Sequence, residues 1–191
     1  AIGAYYNDGN GTNAGHTRVY ALSSGSWTQL GSDVNGEASN DESGYSVSLN
    51  SDGDRMAIGA PYNDGTGSNA GHVRIYEYSG GSWSQLGSDI DGEASWDESG
   101  CAVSLNNAGD RVAIGAKYNG DGNAGHTRVY AYSDNAWTQL GSDIDGEADS
   151  DNSGWSVSLN DAGDRVAIGA YYNDGNGTNA GHTRVYALSS G

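Results

Sequence analysis

The tetrapeptide Ala-Ile-Gly-Ala begins at Ala1, Ala57, Ala113 and Ala167, and the residues around it recur at spacings of 56, 56 and 54. A period of that length describes an array of similar modules, each too small to bury its own apolar face and completed by its neighbours. The recurring unit runs Arg-x-Ala-Ile-Gly-Ala, then Asn-Ala-Gly-His-x-Arg, then a Trp, then Ser-Gly-x-x-Val-Ser-Leu-Asn. Residues 1–25 and 167–191 are identical at every position, as expected of a redundant pair of ends, of a parent array whose larger period is about three units, or of a recent duplication of the coding sequence.

Composition points the other way and has to be overruled. Among 191 residues there are only 25 Leu, Ile and Val, no Phe, and 25 Asp and Glu against 8 Lys and Arg, a net charge of -17. That profile alone belongs to disordered chains. Placement decides for folding: most of the 13 Tyr and 5 Trp recur at fixed offsets beside β-branched residues. The negative field repels phosphate backbones, so no nucleic-acid partner is expected, whereas cations and basic surfaces suit it. One cysteine, Cys101, gives no internal disulfide, and it stands where other units have Tyr45 and Trp155, a packing position. There is no apolar run of membrane-spanning length and no charged-then-apolar leader, so membrane insertion is not expected.

Within a unit, short runs of strand formers alternate with Gly, Asn, Asp and Ser clusters, and helical periodicity is missing. The second unit reads as strands at 45–49, 55–60, 72–78 and 82–86, joined by hairpin-sized links at 50–54 and 79–81 and a longer loop at 61–71. Four antiparallel strands per module of about 55 residues predict an all-β fold, a β-propeller of four-stranded antiparallel blades. The boundaries are a partial blade at 1–42, blades at 43–98 and 99–152, and a partial blade at 153–191, about three and a half blades in all. Such an incomplete array leaves pairing edges, so self-association or further blades of a longer parent chain are expected. Trp27, Trp83 and Trp137 share one position of the fourth strand and are expected to pack it against the sheet.

The segments Ser43-Gly44-Tyr45-Ser46-Val47-Ser48-Leu49, Met56-Ala57-Ile58-Gly59-Ala60-Pro61 and Ala70-Gly71-His72-Val73-Arg74-Ile75-Tyr76 resemble the FG-GAP repeat of integrin-α-type β-propellers. The resemblance covers the whole chain. Ser-Gly replaces Phe-Gly at Ser43, Ser99 and Ser153, only the second unit keeps Gly-Ala-Pro, and the family's Asp-rich calcium insertion between the first two strands is here five residues. What the resemblance implies is a cell-surface or extracellular location and a binding role.

The polar residues that stand out come once per unit, whereas an enzyme site gathers unlike groups once. His16, His72, His126 and His182 each precede Arg18, Arg74, Arg128 and Arg184 by two positions, the same face of a strand. Inter-strand hydrogen bonding or a bridge to an acidic neighbour explains such pairs better than acid–base catalysis does, so no catalytic residue is assigned. Alternate links of an up-and-down sheet share one end, which puts 18 of the 25 acids on one rim, in the loops between second and third strands and between units. Cation binding and a solvated, aggregation-resistant face are both open readings of that rim. Asp8, Asn10 and Thr12, Asp64, Thr66 and Ser68, and Asp174, Asn176 and Thr178 offer oxygens at alternate positions, part of a calcium ligand set, although Asx turns account for the same letters. The expected function is therefore a noncatalytic extracellular propeller for adhesion or protein binding, its ligand a protein or surface glycan, with Ca2+ as the one cofactor considered. The alternative is a self-assembling component of a surface filament or matrix.

Overall fold

A computed structural model describes residues 1–188; the last three residues of the expected partial blade at 153–191 lie outside the described residues. The chain is all-β, with no α-helix among the described residues and one short 3-10 turn at Asp121–Asn123. The first unit contributes β1 (Ile2–Ala4), β2 (His16–Arg18), β3 (Tyr20–Ser23), β4 (Ser26–Gln29) and β5 (Val34–Asn35). The second holds β6 (Ser46–Leu49), β7 (Arg55–Ala60), β8 (His72–Ser79), β9 (Ser82–Gln85) and β10 (Ile90–Asp91). The third holds β11 (Ser99–Leu105), β12 (Arg111–Ala116), β13 (His126–Ser133), β14 (Ala136–Gln139) and β15 (Ile144–Asp145), and the fourth β16 (Ser153–Leu159), β17 (Arg165–Ala170) and β18 (His182–Ala187).

Consecutive strands pair antiparallel, β6 to β7 to β8 to β9 and β11 to β12 to β13 to β14, as the turn-forming links dictate. One feature differs from the sequence expectation: the segment read as an uninterrupted loop between units contains a two-residue strand. Ile90 sits opposite Val73, and Ile144 opposite Thr127, so β10 and β15 extend the fourth-strand pairing to the other end of β8 and β13. A single apolar residue flanked by Asp drives this. Ile90 is buried in the inter-sheet core, whereas a two-residue strand is too short for an alternating pattern to announce.

The sheets stack face to face. Along β7, Met56 and Ile58 join Val19 and Val34 of the first unit, while Ala57 faces the other way to join Leu105, Val112 and Ile114 of the third. A third core sets Ala113 and Val129 against Val166 and Ile168. Alternation along each strand therefore feeds two cores at once, which is why polar-out alternation is lost. The small face is obligatory: Gly59 backs onto the carbonyl of Gly100, and Gly115 onto that of Gly154, with no room for a Cβ. Gly100 itself has φ 89°, a backbone form that only glycine takes without strain. Polar contacts repeat across each interface. Ser48 Oγ accepts from Leu105 N and Ser104 Oγ from Leu159 N, both at 3.0 Å. Trp83 Nε1 donates to Leu30 O and Trp137 Nε1 to Leu86 O, both at 2.8 Å. Trp83 and Trp137 thus anchor one unit to the previous one, whereas Trp27, expected to pack its strand in the same way, is 68% exposed. The sheets remain separate and do not close into a ring.

Candidate functional site

Strands β7 and β12 end, and β8, β11, β13 and β16 begin, at the same end of the stack. There, bridges between Gly15 and Ser43, Gly71 and Ser99, and Gly125 and Ser153 tie the start of each third strand to the first strand of the next unit. The acid-rich loops therefore share one rim, as their positions in an up-and-down sheet require.

On this rim, aromatic rings run from unit to unit. Tyr6 and Tyr5 have centroids 4.3 Å apart, Tyr5 and Tyr45 5.4 Å, and Tyr45 and Tyr62 6.3 Å. Beyond the third unit, Trp155 stacks on Tyr171 at 5.2 Å, and Tyr171 meets Tyr172 at 4.7 Å. Lys117 joins the two groups: its Nζ lies 5.6 Å from the Tyr45 ring and 5.1 Å from the rings of both Tyr118 and Trp155. Tyr5, Tyr6, Tyr45, Trp155, Tyr171 and Tyr172 are all at least 38% exposed, which makes this a surface. Grouped exposed aromatics, unlike scattered ones, mark binding surfaces.

The cation at the centre is held by a buried partner. Lys117 Nζ and Glu98 Oε2 are 2.7 Å apart, with side chains only 7% and 10% exposed. Burial pulls the pKa of the ammonium down, but the Glu98 carboxylate outweighs it, and the net shift is upward. Below it, Cys101 is small where Tyr45 and Trp155 are large, and burial pushes its thiol up to about 11, so it is a neutral packing group. Burial, then the charge of Glu98, also raises Glu42, and the same two causes push Tyr62 up to about 12.

Farther out on the rim the His and Arg pairs meet their acids. Arg18 bonds Asp33 through Nε at 2.9 Å and Nη2 at 2.8 Å, and with Gln29 it holds that carboxyl at about 2. Arg74 bonds Asp89 in the same two-point way and also reaches Glu37 of the preceding unit. Arg128 pairs with Glu93 and Arg184 with Glu147, each acid again from the unit before. The guanidinium is thus an interface clasp, and the neighbouring His72 and His126 are pushed down by burial and then by the nearby Arg, which keeps them neutral.

The nine oxygen-bearing residues singled out in the loops are all exposed. Asp8, Asp64 and Asp174 use Oδ1 to accept the backbone N–H of Asn13, Asn69 and Asn179 at 2.8, 2.8 and 2.6 Å. Asn10 and Thr66 donate to the carbonyls of Gly36 and Gly92, both at 2.7 Å, pinning each loop to the next segment. Thr12, Ser68, Asn176 and Thr178 lie along the same exposed loops. The Asp carboxylates therefore organise the turns themselves. The aromatic path was missed at the level of sequence. Its signal is the position after Ser-Gly, held by Tyr45, Cys101 and Trp155, together with the pair after Ala-Ile-Gly-Ala, which is Tyr5-Tyr6, Pro61-Tyr62, Lys117-Tyr118 and Tyr171-Tyr172.

Residues 34–76 and 143–186 match the FG-GAP repeat. No curated protein matches the chain in sequence. Among solved structures, a candidate 6-phosphogluconolactonase from Bacteroides uniformis is similar at TM-score 0.59 and 10% identity, over 98% of this chain and 54% of that one. The periplasmic gluconolactonase of Pseudomonas aeruginosa is similar at TM-score 0.54 and 13% identity, over 89% of this chain and 45% of that one. The chain spans about half the length of these structures. At such identity the likeness is one of fold, and the fold is propeller-like. No helix among the described residues is long and apolar enough to cross a membrane.

Proposed function

We propose, on the premise that this chain carries FG-GAP repeats at residues 34–76 and 143–186 in a propeller-like fold, that it is a noncatalytic extracellular adhesion module that grips a basic protein surface with its loop rim. The observation that carries this reading is the coincidence on one rim of the exposed aromatic path from Tyr6 to Tyr172 and the acidic loops of a chain with net charge -17. Lys and Arg side chains satisfy both features: their charge answers the carboxylates, and their cationic heads stack on Tyr and Trp faces. Catalysis is not part of the proposal, because His16, His72 and His126 are buried beside arginines and the one thiol is neutral. The lactonase activity in the names of the two similar structures belongs to those proteins. Its test uses the full chain with an Arg- and Lys-rich peptide, an acidic peptide of equal length and a neutral oligosaccharide. The basic peptide should bind, and Trp155→Ala with Tyr171→Ala or raised salt should weaken it about tenfold. Equal binding of the acidic peptide, or preference for the oligosaccharide, overturns the charge-and-stacking reading. In the calcium-linked form of the proposal the free Oδ2 of Asp8, Asp64 and Asp174 takes part, and calcium raises the melting temperature while a chelator lowers it.

The second reading, self-assembly, has its own observation. Beside Leu140 and Gly141, an apolar groove of about 210 Å³ lined by Val129, Ile144 and Tyr186 stands where a fourth-strand Trp would seat in the last unit. Trp27 of the first unit is 68% exposed. A second copy's Trp27 fits the groove as Trp83 and Trp137 fit theirs, and sedimentation of wild type against Trp27→Ala tests it: association that survives the substitution removes this reading.

A further inference from the structure

The third unit breaks the clasp pattern of the first two. Arg18 and Arg74 each hold the Asp of their own unit by Nε and Nη2. Arg128 instead donates through Nη2 to the Asp91 carbonyl at 2.9 Å and approaches Glu93 Oε1 at 3.3 Å, and its Nε has no partner among the described residues. Asp143 is left with one side-chain hydrogen bond, from Gln139 Nε2 at 2.6 Å. Next to it lies His126, 1% exposed, with neither ring nitrogen hydrogen-bonded among the described residues. Its Nδ1 is 3.9 Å from Glu93 Oε2 and 3.9 Å from Asp143 Oδ2, and the three groups lie within 4.8 Å of one another. A buried ring without a partner is costly and rare, and this one is aimed between two carboxylates.

We propose that Glu93 of the second unit, with His126 and Asp143 of the third, forms a binding site for a divalent transition metal of the zinc class, present at this one boundary between units. One imidazole nitrogen and two carboxylate oxygens make a three-ligand set for zinc with a fourth position open to water, whereas calcium asks for six to eight oxygens. Tetrahedral ligands about 2.1 Å from a zinc ion stand roughly 3.4 Å apart, so the two 3.9 Å spacings need to close by about half an ångström. Neither imidazole nitrogen is engaged in a hydrogen bond among the described residues, and Arg128 steadies Glu93 from outside the set, as second-layer groups do at metal centres. Glu37 of the first unit, with His72 and Asp89 of the second, has the same letters and a similar span. There Arg74 already binds both carboxylates, and its guanidinium supplies the positive charge.

The test is titration of zinc ion alone into the full chain, read by calorimetry and by the ring-proton resonances of His126. One equivalent should bind, the His126 resonances should shift in step with it, and calcium should leave them in place. Asp143→Asn and, as an independent variant on an exposed carboxylate, Glu93→Gln should each weaken binding at least tenfold, while Asp89→Asn leaves it unchanged. Binding of no ion or of two, resonances of His126 that do not move, or an Asp89→Asn effect equal to that of Asp143→Asn would each overturn the assignment.

Discussion

Replacing Glu98 by Gln leaves the Lys117 ammonium in a site where it is 7% exposed and has lost the carboxylate 2.7 Å away. Removing one partner of a buried ion pair strands the other charge, at a cost of about 3–5 kcal/mol, because desolvation is no longer answered by attraction. The three rings around Nζ, at 5.1 to 5.6 Å, offset part of that, about 0.5–2 kcal/mol. The net expectation for Glu98→Gln is therefore roughly 1–4.5 kcal/mol of lost stability, or about 2–18 °C in melting temperature for a chain of this size. Lys117→Met should also destabilise, since it strands the Glu98 carboxylate, 10% exposed, in the same site. The double variant strands no charge, so it should be more stable than Glu98→Gln and leave a coupling energy of at least about 2 kcal/mol in the cycle. Urea unfolding followed by circular dichroism on the four proteins measures it. Additive single effects would refute the reasoning, since they mean that the ammonium is solvated and the pair is not an interdependent unit.

Gly115→Ala should destabilise the stack by about 2 kcal/mol or more, because the Cβ meets the Gly154 carbonyl and the inner strand of the fourth unit must retreat; limited proteolysis should then cut first after residue 152. Trp137→Phe should cost about 0.5–1.5 kcal/mol through loss of the bond to Leu86 O, and Trp27→Ala close to nothing in a monomer, since that ring is already in solvent. The pKa of His72 is lowered by burial and then by Arg74, so the unfolded chain binds the proton more tightly. Its contribution is present above about pH 6.5 and is lost as pH falls below that value, and His72→Gln should flatten the pH dependence of urea midpoints there. Asp33, held at about 2, acts lower down. Its contribution is complete above the ordinary carboxylate range and disappears only as pH falls from about 4 toward 2, so Arg18→Gln should shift acid unfolding upward.

Much of the fold was readable because a repeated module writes each element several times. The second strand and the start of the third were visible in Arg55–Ala60 and at His72, since β-branched residues there are bounded by turn formers at every copy. The reading of Trp83 and Trp137 as anchors rested on the same repetition. What repetition hides is the place where a copy differs. Lys117 replaces the Tyr5, Pro61 and Tyr171 of other units, and on paper it is a lone substitution at a variable position. Its meaning depends on Glu98 and on rings from the units to either side, Tyr45 and Trp155, that chain distance does not bring near. Likewise Asp8, Asp64 and Asp174 look alike as ligands or as turn acceptors until the N–H that each one accepts is located.

Sequence by itself determined the modular all-β architecture, the four-strand rhythm and the gathering of acids at one end, because these follow from local propensity, turn chemistry and a counted period. Only the tertiary structure decided which side chains meet across units: the aromatic path, the Lys117 and Glu98 pair, and the turn of Arg128 away from Asp143. The physical reason is that lateral stacking joins residues about 55 positions apart, and the partner a buried charge finds there is set by rotamer and packing, which leave no period in the chain.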